Sequence, residues 1–267
     1  MEQATLMEMV KNNPNALAHI NNPTDEMKLL AVTQNGLALK YITNPTREML
    51  EAAIDSNARA IEFITDPTEA MMIKAVTAGW INLEYIQHPT AEIIKLAMQQ
   101  AGWAIKYVTN PSEELQLLAV RKNYDAIKFI KEPTASVQEA AVTISYEALR
   151  YIKSPTPTAE LIAVKNDETA IRLINDVDKA KILEFLRVNI LVIKHVANQI
   201  TLTELEQVLR EVLGNESVDE KYVRDYLNCS VIDKNSGIMP LDKLMFIYKH
   251  GSKKAKKIAV DEKLKLK

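Results

Sequence analysis

A chain of 267 residues with 47% apolar and 25% charged side chains is folded rather than disordered, and its 6 glycines and 6% aromatics favour helix over a turn-rich β fold. One cysteine, Cys229, excludes an internal disulfide and any multi-cysteine zinc site, and no run of about 18 apolar residues is present to span a membrane. The net charge of −2 hides an asymmetry: residues 216–267 hold 12 basic and 8 acidic side chains, or +4, which leaves −6 for residues 1–215.

The first residues, MEQATLMEMVKNNP, carry acids and no long apolar core, so a signal peptide is not expected and a reducing, cytoplasmic location fits. They match a degraded cap unit over 1–22, with Met9-Val10, Ala16-Leu17 and His19-Ile20 in register with the later units. Prolines then fall at 23, 45, 67, 89, 111, 133 and 155, always 22 residues apart, followed by Thr24, Thr46, Thr68, Thr90, Ser112, Thr134 and Thr156. A fixed period of this length marks a repeat architecture.

Within each unit the Thr or Ser can cap a helix through its hydroxyl. Acids such as Glu26, Glu48 and Glu69 suit the positive end of that helix. Apolar residues four, seven and eight positions after the proline, as in Met27, Leu30 and Ala31, form one helical face. The eighth is alanine in all seven units (Ala31, Ala53, Ala75, Ala97, Ala119, Ala141, Ala163), which predicts close approach of a neighbouring helix. The unit predicted is a helix of about 10–11 residues, a turn and a second helix of about 6–7, all too short to be stable alone. Turn or helix-end residues (Asn35, Asn57, Gly79, Asn123, Ser145) mark the twelfth position. The second segment carries an aromatic column of Tyr41, Phe63, Tyr85, Tyr107, Phe129 and Tyr151. The residue before the next proline stops it, because that position avoids the right-handed helical region. Stacked units bury what one unit cannot. The fold expected is all-α: a solenoid of about eight 22-residue repeats over 1–215, with degraded cap units at 1–22 and 177–215.

The pattern A-I-x-Y-I-x-N-P-T-x-E-x-x-x-x-A-V runs from about Pro23 to Ile174 and resembles the variant leucine-rich repeat. It is also similar to an uncharacterised family of short helical repeats in bacterial and phage proteins. Tyr or Phe stands here where the variant leucine-rich repeat usually has valine. The resemblance implies a right-handed superhelix. On analogy alone it also suggests a phage-encoded inhibitor or regulator of a host protein, since a fold does not carry a function with it.

After Pro155 the beat weakens. Val177 replaces the next proline, but Phe185-Leu186, Asn189, Val192-Ile193 and His195-Val196 keep register, and Thr201 or Thr203 can cap a helix that Gly214-Asn215 ends. Residues 216–267 are expected to form a small helical region: a helix over 218–228, a turn at Asp233–Gly237 and a helix from Pro240 to Gly251. The turn is not a calcium loop, because Leu244 stands where the twelfth-position glutamate would be. The Lys-rich end is either a solvated, fraying tail or an element that attracts phosphate or a partner.

No nucleotide-binding, metalloprotease or nucleophile-elbow motif is present, so neither an enzyme nor a cofactor or metal is expected. His19 and His195 occupy the aromatic column and His88 the slot before Pro89, which are structural positions. What varies between units is more informative. Thirteen or fourteen positions after the proline, the middle units carry Trp80, Trp103, Tyr124 and Tyr146, including both tryptophans of the chain. Either they anchor a partner along one edge, or they cover gaps left by Gly79 and Gly102; burial of both tryptophans would remove the first reading. Lys106, Lys128 and Arg150, with Arg121 and Lys122, make either a solvated face or a basic stripe beside that edge, suited to an acidic protein segment or a phosphate-bearing ligand. A protein partner is the first expectation, and nucleic acid bound through the stripe and the Lys-rich tail is the alternative. Self-association through a solenoid end or residues 216–250 also stays open.

Overall fold

The structure, a computed structural model, describes residues 3–265. It is an all-α solenoid of repeated helix pairs, and extended pairing among the described residues is limited to one isolated bridge between Ile232 and Met239. The chain divides into two compact units, Met1–Lys131 and Glu132–Lys267.

In the first unit six α-helices of 10 residues (Gln3–Asn12, Asp25–Gln34, Arg47–Ser56, Glu69–Ala78, Ala91–Gln100, Glu113–Lys122) alternate with six short ones (Pro14–His19, Gly36–Tyr41, Ala58–Phe63, Trp80–Tyr85, Gly102–Tyr107, Tyr124–Phe129). The short elements are 3₁₀-helices of 6 residues, closed by bonds such as Ala38 N–H to Asn35 O at 2.8 Å and Ile42 N–H to Leu39 O at 2.9 Å. A segment this short, held between a cap and a proline, suits the tighter coil. The second unit continues with Ala135–Ile144, Tyr146–Tyr151, Pro157–Asn166, Glu168–Leu173 and Lys179–Val188.

Each α-helix starts as the sequence implies. The seven Thr and Ser hydroxyls accept from the amide three residues on at 3.2–3.4 Å. Asp178 does the same for Lys181 at 2.8 Å where Pro-Thr is missing. The turn column ends the α-helices as the sequence implies, and it also opens the short ones. Asn35, Asn57 and Ser145 are extended, not left-handed, and their side chains cap the following 3₁₀-helix by accepting from the amide two residues on at 3.0–3.3 Å. The left-handed positions are Asn22, Asn44, Asn110 and Asp176, with φ of 51–54°, at the end of the repeat. Short polar side chains tolerate that conformation.

The seven alanines of the eighth position are all 0% exposed, as close packing at that site requires. Gly36 and Gly102 reflect the same closeness. An added Cβ would lie 2.0 Å from Ala53 O and 2.1 Å from Ala119 O. Gly102 therefore leaves no gap to cover, whereas a Cβ on Gly79 would meet nothing nearer than the Asn82 side-chain nitrogen at 3.9 Å.

Side chains of one repeat close polar groups of the repeat before it. Ser56 Oγ accepts from Gly36 N–H at 3.2 Å, Gln100 Oε1 from Trp80 N–H at 3.0 Å and Asn123 Oδ1 from Gly102 N–H at 2.8 Å. Gln100 Nε2 also donates to Val76 O at 2.7 Å, and in the second unit Asn189 Nδ2 donates to Val164 O at 2.8 Å.

The last elements close the second unit. Leu202–Leu213 begins with a reciprocal capping box between Thr201 and Glu204 and ends at Gly214. Helix Glu220–Asn228 is tied back by Tyr222, whose hydroxyl donates to Leu186 O at 2.8 Å. Residues 233–237 form a turn, and Lys243–His250 comes next. The Lys-rich end is a seated helix, Lys253–Lys265, with Ala255, Ile258 and Ala259 buried and Glu262 ion-paired to Arg224.

Candidate functional site

The 3₁₀-helices hold their aromatic column at the surface. In the first unit Tyr41 and Phe129 are 37% and 39% exposed. A cation lies over several of these rings: Lys40 Nζ is 4.8 Å from the Tyr41 centroid, Lys106 Nζ 4.4 Å from Tyr107 and Lys128 Nζ 5.1 Å from Phe129. Arg59 sits 5.5 Å from Tyr85 in the next repeat. Each such contact is worth about 0.5–1 kcal/mol at an exposed site.

Two of these rings are extended by tryptophan from the preceding repeat. Trp80 opens the helix Trp80–Tyr85, and its ring lies 6.3 Å from that of Tyr107. Lys106 is set over both, 5.6 Å from Trp80 and 4.4 Å from Tyr107. One repeat on, Lys128 lies 6.0 Å from Trp103 and 5.1 Å from Phe129. Here a carboxylate joins the station: Asp125 accepts from Trp103 Nε1 at 2.7 Å and from Lys128 Nζ at 2.9 Å. Burial raises the Asp125 pKa, but the hydrogen bonds from Lys128 and Trp103 outweigh it and hold the carboxyl below its ordinary range. Beside the first station Glu84 accepts from the Tyr107 hydroxyl at 3.0 Å.

Neither tryptophan is buried. Trp103 is 37% exposed, Trp80 is half-buried, and the adjoining Ile81 is 50% exposed. No protein-family model, curated protein or solved structure matches the chain. Function is therefore read from this surface.

Of the residues expected to matter, Trp80, Trp103, Lys106 and Lys128 come together in these two stations. Tyr124 is half-buried at the start of its own 3₁₀-helix, outside both. Arg121 and Lys122 are exposed in the last turn of Glu113–Lys122, next to the Asn123 that bonds the Gly102 amide, and form no ion pair among the described residues. Tyr146 and Arg150 belong to the second unit, where Tyr146 is half-buried and Arg150 approaches Glu147 at 3.6 Å.

Tyr107, a member of the aromatic column, and Glu84, one repeat before Lys106 at the same position of the short helix, also belong to the site, together with Asp125, which the sequence reading did not single out. Asp125 precedes Lys128 by three residues, the spacing that eclipses side chains in a 3₁₀-helix. That signal becomes readable only once the coil type is known. Among the described residues no cluster of His, Cys, Asp and Glu could hold a metal, and no helix is long and apolar enough to cross a membrane.

Proposed function

We propose that the protein is a non-enzymatic interaction scaffold that binds a partner protein through the aromatic edge of its first unit. One observation carries this: both tryptophans of the chain reach the surface on that edge, each fixed by a cation from the following repeat. Aromatic side chains held rigid before binding lose little freedom on contact, and they dominate interface energetics. The resemblance to repeats of phage proteins makes a bacterial host protein the partner to look for.

Capture from a bacterial lysate tests the reading. The double variant Trp80→Ala, Trp103→Ala should lose the partner while keeping its helical circular dichroism. Unchanged capture would sink the assignment. A second reading, nucleic-acid binding, draws on the exposed Lys253, Lys254, Lys256 and Lys257 of the seated C-terminal helix. A gel shift at low salt checks it, and no shift at excess protein removes it.

A further inference from the structure

We infer that the helix Lys243–His250 is a self-association surface, docking antiparallel against the same helix of a second copy of this chain about a two-fold axis. This surface belongs to the second unit and is separate from the tryptophan edge of the first.

The helix buries Phe246 and Ile247 and leaves Leu244, Met245 and Tyr248 exposed. Spacings of one, three and four residues keep those three on one side of a helix. Tyr248, at 74%, is the most exposed large apolar side chain among the described residues, and Ile238, shortly before the helix, is exposed as well. Apolar side chains gathered in this way mark a contact face.

The charges beside the stripe decide what covers it. Asp242 caps the helix by accepting from the Met245 amide at 2.9 Å. Lys249 stands seven residues on, about two turns away. Asp242, Met245 and Lys249 line one groove of about 310 Å³, so the two charges share a flank of the stripe. Neither forms an ion pair among the described residues, whereas Arg210, in the same groove, is closed on Glu206 at 3.2 Å. The flank therefore carries an anion where the helix starts and a cation where it ends. When two such helices pack antiparallel about a two-fold axis, equivalent flanks face each other, so Asp242 of each copy meets Lys249 of the other. Parallel packing brings unlike flanks together and makes neither contact. Asp242 and Lys249 sum to zero charge, so the flank offers no net attraction to an anionic membrane or to nucleic acid.

Sedimentation equilibrium of the full chain, from about 1 μM to about 1 mM, tests this. A reversible monomer–dimer equilibrium is expected. Tyr248→Glu, at a side chain already in water, should weaken it by about tenfold or more and leave the helical circular dichroism unchanged. Lys249→Glu sets like charges against each other twice and should also weaken it by about tenfold. Adding Asp242→Asn to Lys249→Glu keeps the cap and removes the repulsion, so part of the lost affinity should return. A monomer at every concentration overturns the inference. A dimer indifferent to Tyr248→Glu does the same, because its interface then lies elsewhere. No recovery on adding Asp242→Asn overturns the antiparallel pairing.

Discussion

His195 takes the place in its repeat that Tyr or Phe holds in six others, and its surroundings make it sensitive to acid. Its ring is half-buried, Nε2 has no hydrogen-bond partner, and Nδ1 lies 3.4 Å from the Arg172 guanidinium. Lys194, Glu168 and Asp167 are the other charges nearby. Burial, then the positive charge of Arg172, hold its pKa below the ordinary 6.5. The unfolded chain therefore takes up the proton first. The stability this group contributes is whole above pH 6.5 and is lost as pH falls through the lower folded value. Denaturant midpoints followed from about pH 7 to about pH 5 should fall for the wild type, before ordinary carboxylates begin to titrate. In His195→Phe the same window should be flatter; an identical slope would remove His195 as the cause. The column position of His195 is legible in the sequence. Its proximity to Arg172, one repeat back, is not, because only stacking creates it.

At the level of the element, the junction between α-helix and 3₁₀-helix decides which glycines matter. At Gly102 a side chain would collide with the backbone of the next helix, so Gly102→Ala should cost about 1–3 kcal/mol through forced displacement. Gly79 has open space and an extended φ of −178°. Gly79→Asn installs the cap used by Asn35 and Asn57 and restricts the unfolded chain, so it should stabilise by about 0.5–1 kcal/mol. Thermal or urea denaturation checks both signs, and a destabilised Gly79→Asn would show that the cap does not transfer between repeats. The helix starts were readable in the sequence because Pro-Thr is both a stop and a cap. The coil type was not, since a six-residue segment carries no periodicity long enough to separate 3.6 from 3.0 residues per turn. Asn35 and its counterparts read as helix ends because one residue serves two elements, closing the α-helix with its backbone and opening the 3₁₀-helix with its side chain.

At the scale of the molecule, the 22-residue beat made the all-α repeat architecture legible, and the departures from it pointed to Trp80 and Trp103. The aromatic column was harder to place. Its apolar rings and strict spacing give no sign of which side is wet, and Tyr41 and Phe129 reach the surface only because the neighbouring Ala38 and Leu39, or Ala126 and Ile127, fill the interior. In the first unit the side-chain bonds from one repeat to a backbone amide of another, Ser56 to Gly36, Gln100 to Trp80 and Asn123 to Gly102, run backward along the chain, whereas in the second unit Gln138 Oε1 accepts from the Thr156 amide of the following repeat at 2.9 Å. Three repeats of the first unit are thus completed by their successors. On a ribosome, which releases the N-terminal end first, a repeat that has already emerged keeps an open amide until the next one arrives, so folding should trail synthesis by one repeat. The dependence can be read in the finished protein by hydrogen exchange. Gln100→Ala should speed exchange of the Trp80 amide by about tenfold, the equivalent of one hydrogen bond, and leave the Gly102 amide, held by Asn123, unchanged. Equal effects at both would mean that the order of closure has no direction.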